Sequence, residues 1–408
     1  MNAPHPDRTA SGFKERTRVD RARSRLREAI TTTVDDEPVP LDEADGRILA
    51  ARIIAERDVP HYERAAMDGY AVLAADTFGA SDRSPEPLRL VETKVAPGEA
   101  VRVHTGSELP DGADAVVKVE HTDLFGDEVE VFDAVASGEN VAPVSEDVEA
   151  GQLLYESGHR LRPSDLGLLR SVGVEDVSVF NRPTVAVIPT GEELVKTDPG
   201  PGEAIETNGL TVSRLVERWG GKPTHRDIVT DDFETLQSAI TQDLNHDVVV
   251  TTGGSSVGER DLVPEVLSEL GEVLVHGVAL KPGHPVGLAL VKETPVIALP
   301  GYPVACIINA VQFLRPTIAW LSGIEPRPHP EVEATLSRKI HSEPGTRTFV
   351  RVTLEQDDEG LSATPTRASG SGVLSSVALA DGWVVVPESN DGIPAGESVR
   401  VQDWEWAP

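Results

Sequence analysis

Apolar positions change their period several times along the chain, and each change marks a stretch of different architecture. Over 17–32, Val19, Ala22, Leu26 and Ile30 recur at three- and four-residue spacing among Arg21, Arg23, Arg25 and Arg27. That spacing predicts a basic amphipathic helix that docks by one stripe. From 58 to 151 the pattern shortens to β-rich runs at 88–95, 115–120 and 128–132, separated by Gly, Pro and Asp clusters. These read as a small β-rich domain. Residues 152–182 return to mixed character with a helical piece at 163–171, so the β-rich domain is expected as an excursion from a layer made of 17–57 and 152–182.

The middle of the chain, 183–325, alternates strand, loop and helix: strands at 184–189 and 247–252, helices at 209–219 and 262–270, further strands at 286–291 and 295–299, then an apolar helix from Pro303 towards Leu321. Such alternation predicts a doubly wound α/β domain, in which ligands sit outside the carboxyl ends of the strands. Pro326, Pro328 and Pro330 mark a linker, and 326–408 reads as a separate, barrel-like β domain. The fold class expected is multi-domain α/β.

Length agrees with that division, because 408 residues exceed what one hydrophobic core of up to ~250–300 residues serves. No stretch approaches the roughly 18 uninterrupted apolar residues of a membrane helix, and 1–18 lacks the apolar centre of a secretion signal. The expectation is a cytoplasmic protein without a membrane partner. The single cysteine, Cys306, lies in an apolar run and is expected to be a buried, inert thiol. With 68 acidic and 37 basic residues, only eight of the latter lysine, the formal charge is −31. Nucleic acid and anionic membrane need a basic footprint and become poor partners. An acidic shell in which arginine outnumbers lysine is a habit of proteins from salt-saturated cytoplasm, where a Debye length of ~3 Å screens the self-repulsion. A halophilic protein is expected.

Three strand-end loops share one design: Thr190-Gly191-Glu192-Glu193, the run from Thr252 through Gly253, Gly254, Ser255, Ser256 and Val257 to Gly258, and Leu299-Pro300-Gly301-Tyr302-Pro303. Glycine after a strand lets backbone N–H groups approach a phosphate, and the following helix offers its positive end. Glu193, Glu206, Asp231, Asp232 and Asp261 crowd the same edge. A phosphate beside carboxylates calls for a hard cation, and oxygen ligands suit Mg²⁺. Glu206 reads as a helix cap. The run Lys281-Pro282-Gly283-His284 offers a stiff turn with one cation and one imidazole, expected to bind an anion. The residues alone indicate a Mg²⁺-assisted enzyme of a phosphorylated or nucleotide-bearing substrate.

Taken in order, 44–50 (Ala-Asp-Gly-Arg-Ile-Leu-Ala), 66–72 (Ala-Met-Asp-Gly-Tyr-Ala-Val), Thr105-Gly106, 190–194, Thr207-Asn208, Gly253-Gly254 to Asp261, 281–283 and 299–301 resemble the MoeA-type molybdopterin molybdenumtransferases, which include the E domain of gephyrin. The resemblance implies insertion of molybdate, or of isostructural tungstate, into adenylylated molybdopterin with Mg²⁺ and release of AMP. It implies a homodimer with composite sites, to which Asp68, Thr105 and Asp147 come from the partner subunit. Glu193, Asp231, Asp261, Lys281 and His284 would complete the catalytic set, and Glu193, Asp232 and Asp261 the metal set. Thr190, Gly191, Gly253, Gly254, Ser255, Gly258, Pro282, Gly283, Pro300, Gly301 and Pro303 would hold the pterin phosphate and adenylate. A molybdopterin adenylyltransferase upstream and molybdoenzymes or their chaperones downstream are the implied partners. The chain departs from the family pattern at His284 (lysine in the family), Tyr302 (asparagine), Ala305 and Ala65 (serine). Two rivals remain, an adenylyltransferase acting one step earlier and a non-catalytic scaffold of the same fold.

Overall fold

The computed structural model describes residues 16–253, 262–358, 360–366 and 370–406. Contacts divide the chain into two compact units, 1–37 with 180–408, and 38–179.

In the first unit the amphipathic helix α1, Val19–Ala29, buries Val19, Ala22 and Leu26, which are the predicted stripe. These side chains join one large core with Val185, Val250, Ile297, Ile307, Phe313 and Trp383. The second unit holds a six-stranded sheet of β1 (Gly69–Val72), β2 (Glu86–Val91), β3 (Glu99–Val103), β4 (Ala115–Lys118), β5 (Thr122–Phe125) and β6 (Glu128–Val131), in the order β4-β1-β3-β2-β6-β5. Alternate residues Tyr70, Val72, Val117, Val129 and Val131 face one core, as period-two patterning requires. Helix α2, Pro163–Ser171, packs Leu169 into a separate cluster with Leu41, Leu49 and Leu161.

The central sheet of the first unit contains β7 (Thr184–Pro189), β8 (Lys222–His225), β9 (Val248–Thr252), β10 (Glu272–His276), β12 (Gly287–Val291) and β13 (Thr294–Leu299), ordered β8-β7-β9-β13-β12-β10. Strands β8, β7, β9 and β13 are parallel, while β12 and β10 add antiparallel at one edge. The short strand β11, Leu280–Lys281, leaves this sheet for the next one. Helices α3 (Asn208–Arg218), α4 (Phe233–Gln242) and α5 (Val263–Leu270) connect the strands. Cores lie on both faces of the sheet, so β9 and all of β7 after Thr184 are buried without alternation.

The apolar stretch Pro303–Leu321 is long and apolar enough to cross a membrane, but 94% of its apolar window is buried in the core. It is interrupted: α6 (Pro303–Asn309) passes through one π turn, Ala310–Leu314, into α7 (Arg315–Leu321). Strands β14 (Glu331–Leu336), β15 (Arg347–Asp357), β16 (Gly360–Pro365), β17 (Gly382–Val386) and β18 (Ser398–Gln402) then close on themselves, because β15 pairs with both β16 and β17. β11 runs parallel to β15 and ties the Lys281 turn to this barrel.

Candidate functional site

Because β7, β9 and β13 are neighbours running the same way, the loops that follow them emerge side by side at the carboxyl edge of the sheet. Backbone bonds join them: Thr190 donates to the Thr252 carbonyl (3.2 Å) and Gly253 to the Leu299 carbonyl (3.0 Å). The side-chain amide of Asn208, at the start of α3, donates to the Gly301 carbonyl at 2.7 Å. Gly253 has φ +130°, and a Cβ there would lie 2.1 Å from the Thr190 carbonyl oxygen. Only glycine permits this approach. Thr190 and Thr252 are buried, and their hydroxyls have no hydrogen-bond partner among the described residues. Gly254, Ser255, Gly258 and Asp261 lie outside the described residues.

The acids at this edge divide by what they touch. Glu206 accepts from the Gly209 amide at 2.6 Å and lies 3.5 Å from His225 Nε2, the cap expected of it. Asp232 caps α4, accepting from the Thr235 amide and the Thr230 hydroxyl, both at 2.8 Å. Glu193 is exposed. Asp231 is half-buried, and burial, then Glu193 and Glu192, push its carboxyl above the ordinary value. A carboxylate whose proton affinity is raised by its neighbours is placed where a cation would relieve it. Among the described residues no three His, Cys, Asp or Glu side chains converge in metal-binding geometry.

The Lys281 turn borders a cavity of about 670 Å³ between the α/β layer and the barrel. Pro282, Gly283, His284, Pro300, Gly301, Tyr302 and Ala305 line one side, and Lys339, His341, Arg351 and Ser371 the other. Gly283 lies against α6 (Pro303–Asn309), with its carbonyl accepting from Asn309 Nδ2 at 2.8 Å; a Cβ would come within 2.3 Å of that nitrogen. Pro303 begins α6. Lys281 Nζ lies 3.1 Å from Glu343 of the barrel. His284 is half-buried, and burial, then the like charge of Arg16, holds its imidazole below the ordinary value. Arg351 is 5% exposed and donates to the Ser376 hydroxyl at 3.2 Å. Sequence reasoning found the 281–284 side of this cavity. It missed Lys339 and His341, whose only signal is alternation along a short barrel run.

In the other unit, Asp68 accepts from the Thr105 amide (2.6 Å) and hydroxyl (2.9 Å), and His104 Nδ1 lies 3.9 Å away. The Thr105 bonds, first the amide and then the hydroxyl, hold the carboxyl below its ordinary value. Asp68, Thr105 and Asp147 are all exposed. Cys306 is buried, and burial pushes its thiol up.

Fold and site together define a multi-domain α/β protein with glycine loops at one sheet edge and a cation-bearing cavity beside them. The residues at 17–173 match the MoeA N-terminal region (domain I and II), 186–320 a probable molybdopterin binding domain, and 333–404 the MoeA C-terminal region (domain IV). A putative molybdopterin biosynthesis protein of Methanocaldococcus jannaschii is 38% identical over 375 residues, 89% of this chain and 91% of the relative. The molybdopterin molybdenumtransferase of Bacillus subtilis is 31% identical over 401 residues, 91% of this chain and 93% of the relative. A crystal structure of a molybdopterin biosynthesis MoeA protein from Pyrococcus horikoshii aligns with a TM-score of 0.83 at 35% identity, covering 96% of this chain and 99% of that one. The chain belongs to the MoeA family of molybdopterin biosynthesis proteins.

Proposed function

We propose that the protein is a molybdopterin molybdenumtransferase, which inserts molybdate into adenylylated molybdopterin and releases AMP. The observation that carries the reading is the full-length likeness to the Bacillus subtilis enzyme of that name, together with a cation-lined cavity beside three glycine loops. Thr190, Gly191, Gly253, Pro300 and Gly301 would present backbone groups to the phosphates, with Gly254, Ser255 and Gly258 extending the same loop. Lys281, His284 and Arg351, with Lys339 and His341 on the barrel side, suit an oxyanion, so we propose this cavity for molybdate or tungstate as substrate.

Mg²⁺ is proposed at this edge because Glu193 and Glu192 act on the half-buried Asp231, although the described acids alone do not converge on an ion. When bound, the ion would polarise the pyrophosphate link. Glu193 and Asp261 would hold it, Asp231 would add charge, and Asp232 would reach it only with lone pairs left over from capping. Asp68 orients Thr105, and with Asp147 that pair is proposed to come from the partner subunit of a homodimer. The reading extends to a division into 17–57 with 152–182, 58–151, 183–325 and 326–408, to an adenylyltransferase upstream and molybdoenzymes or their chaperones downstream, and to a halophilic, cytoplasmic setting.

The test is reconstitution in high salt with adenylylated molybdopterin, Mg²⁺ and molybdate or tungstate, following AMP. Release should require both metal and oxyanion. Consumption of ATP with bare molybdopterin would make it the adenylyltransferase instead, and an absence of nucleotide binding would make it a scaffold.

A further inference from the structure

A second cavity, of about 360 Å³, lies in the same unit and away from the 281–284 turn. Arg23 of α1, Arg315 of α7, Arg327 of the proline linker and Arg347 of β15 all line it, with Gln312 and His329 between them. Four arginines at one cavity are conspicuous in a chain with 68 acidic and 37 basic residues. The cavity is built, since Gln312 and Arg315 are each 8% exposed. Arg23 donates to the Gln312 side chain (3.0 Å) and backbone carbonyl (3.3 Å). Arg315 donates to His329 Nε2 (3.2 Å) and to the Arg327 carbonyl (2.6 Å). Burial, then Arg315, pushes the His329 ring down to about 4, so it is neutral and serves as the acceptor.

Charge decides what this cavity takes. Asp20 and Glu388 both pair with Arg347, at 2.8 and 3.2 Å, and Asp20 also acts on Arg23, so two carboxylates stand against four arginines and neither of the two lines the cavity itself. The Arg327 side chain is exposed and makes no hydrogen bond or ion pair among the described residues. Guanidinium forks match the paired oxygens of a phosphate better than they match chloride. The π turn Ala310–Leu314 supplies Val311 and Gln312 to the wall, and such turns inside helices are frequent at functional sites.

We infer that this arginine-lined cavity binds a tetrahedral oxyanion of the phosphate class, as a site separate from the 281–284 cavity. Its volume admits a free phosphate with its waters or a small phosphate monoester. Phe349 borders both cavities, and the helix that carries Tyr302 and Ala305 at one carries Gln312 and Arg315 at the other. Occupancy therefore braces the elements that wall the proposed substrate cavity.

The test is calorimetric titration of the full chain with inorganic phosphate, and separately with glycerol 3-phosphate, at constant chloride. One saturable site that persists in Lys281→Gln is expected for at least one of the two, since the 281–284 cavity is itself proposed to take an oxyanion, and the tighter binder identifies the source. Arg315 is buried, so the variant chosen is Arg23→Gln with Arg327→Gln, whose folding is checked by circular dichroism. It should raise the dissociation constant at least tenfold, whereas Lys281→Gln should leave it within twofold. Absence of binding by both anions, unchanged binding in the double variant, or loss in Lys281→Gln would overturn the proposal. Because AMP release is not the readout, the outcome is independent of the reaction proposed above.

Discussion

At the scale of single residues, two histidines show how environment decides what a titratable group contributes. His284 stands where the family pattern has lysine, and burial holds its imidazole below 6.5. A group depressed in this way is neutral at neutral pH and gains charge only as pH falls below its ordinary value. Oxyanion capture is therefore expected to be strongest at low pH, to weaken as pH rises towards about 6.5, and to change little above it. His284→Lys should lower the molybdate concentration for half-maximal AMP release about tenfold, equivalent to ~1.4 kcal/mol, and flatten that dependence. An unchanged pH profile would remove His284 from the anion site. His159 does structural work instead. It lies 2.7 Å from Asp165, which is 2% exposed and also accepts from Arg162 and from Tyr155 at 3.1 Å. Burial alone would raise the Asp165 carboxyl, but the bonds from Arg162, His159 and the Arg162 amide outweigh it and hold it well below the carboxylate range. Stability from a depressed carboxyl is fully present above its unfolded value of ~3.9 and is lost as pH falls through the lower folded value. Asp165→Asn should cost about 2–4 kcal/mol in denaturant unfolding at neutral pH and reduce the acid sensitivity of the unit it caps.

At the scale of elements, legibility followed the strength of the local signal. The stripe at Val19, Ala22 and Leu26, the apolar runs of β7 and β9, and the glycines after them were readable because each is set by its own few residues. Strand β8, Lys-Pro-Thr-His, was not, because it has no buried residue and earns its place only as an edge partner of β7. Pro223 is tolerated there for the same reason. The π turn was equally hidden, since nothing in Ala310-Val311-Gln312-Phe313-Leu314 breaks the helical period. Half of the cavity at 281–284 comes from β15 and its neighbours in the barrel, and that closure depends on pairings far apart in sequence. The glycine loops make a direct test possible at this scale. Gly253→Ala places a Cβ against the Thr190 carbonyl in a backbone region that side chains rarely adopt. It should cost roughly 2 kcal/mol or more of stability and weaken nucleotide binding, while Gly138→Ala, with open space around its position, should spare binding. Equal nucleotide affinity in the two variants would show that the loop contact does not shape the site.

For the whole molecule, charge is the property that the fold does not resolve internally. The formal charge is −31, and although ion pairs such as Arg64–Glu146, Lys196–Asp227 and Arg400–Glu331 form, 68 acidic residues outnumber the 37 bases that could pair with them. Pairs exposed to this degree contribute little, typically ~0–1 kcal/mol each, so they do not offset the repulsion among the remaining carboxylates. Screening does so, because the Debye length shrinks from ~10 Å at 0.1 M salt to ~3 Å at 1 M. The cores are ordinary apolar clusters and are strengthened only modestly by the same salt. The midpoint of thermal unfolding should therefore rise by about 10 °C or more from 0.1 M to 2 M KCl. Most of that gain should appear by about 1 M, where screening is nearly complete, rather than growing linearly as it would from exclusion of the salt by the surface. Sucrose at matched osmolality separates the two causes, since it is excluded from the surface but carries no charge. A midpoint that is flat in KCl, or one that sucrose raises equally, would show that the acidic surface is not what limits stability and would withdraw the halophilic reading.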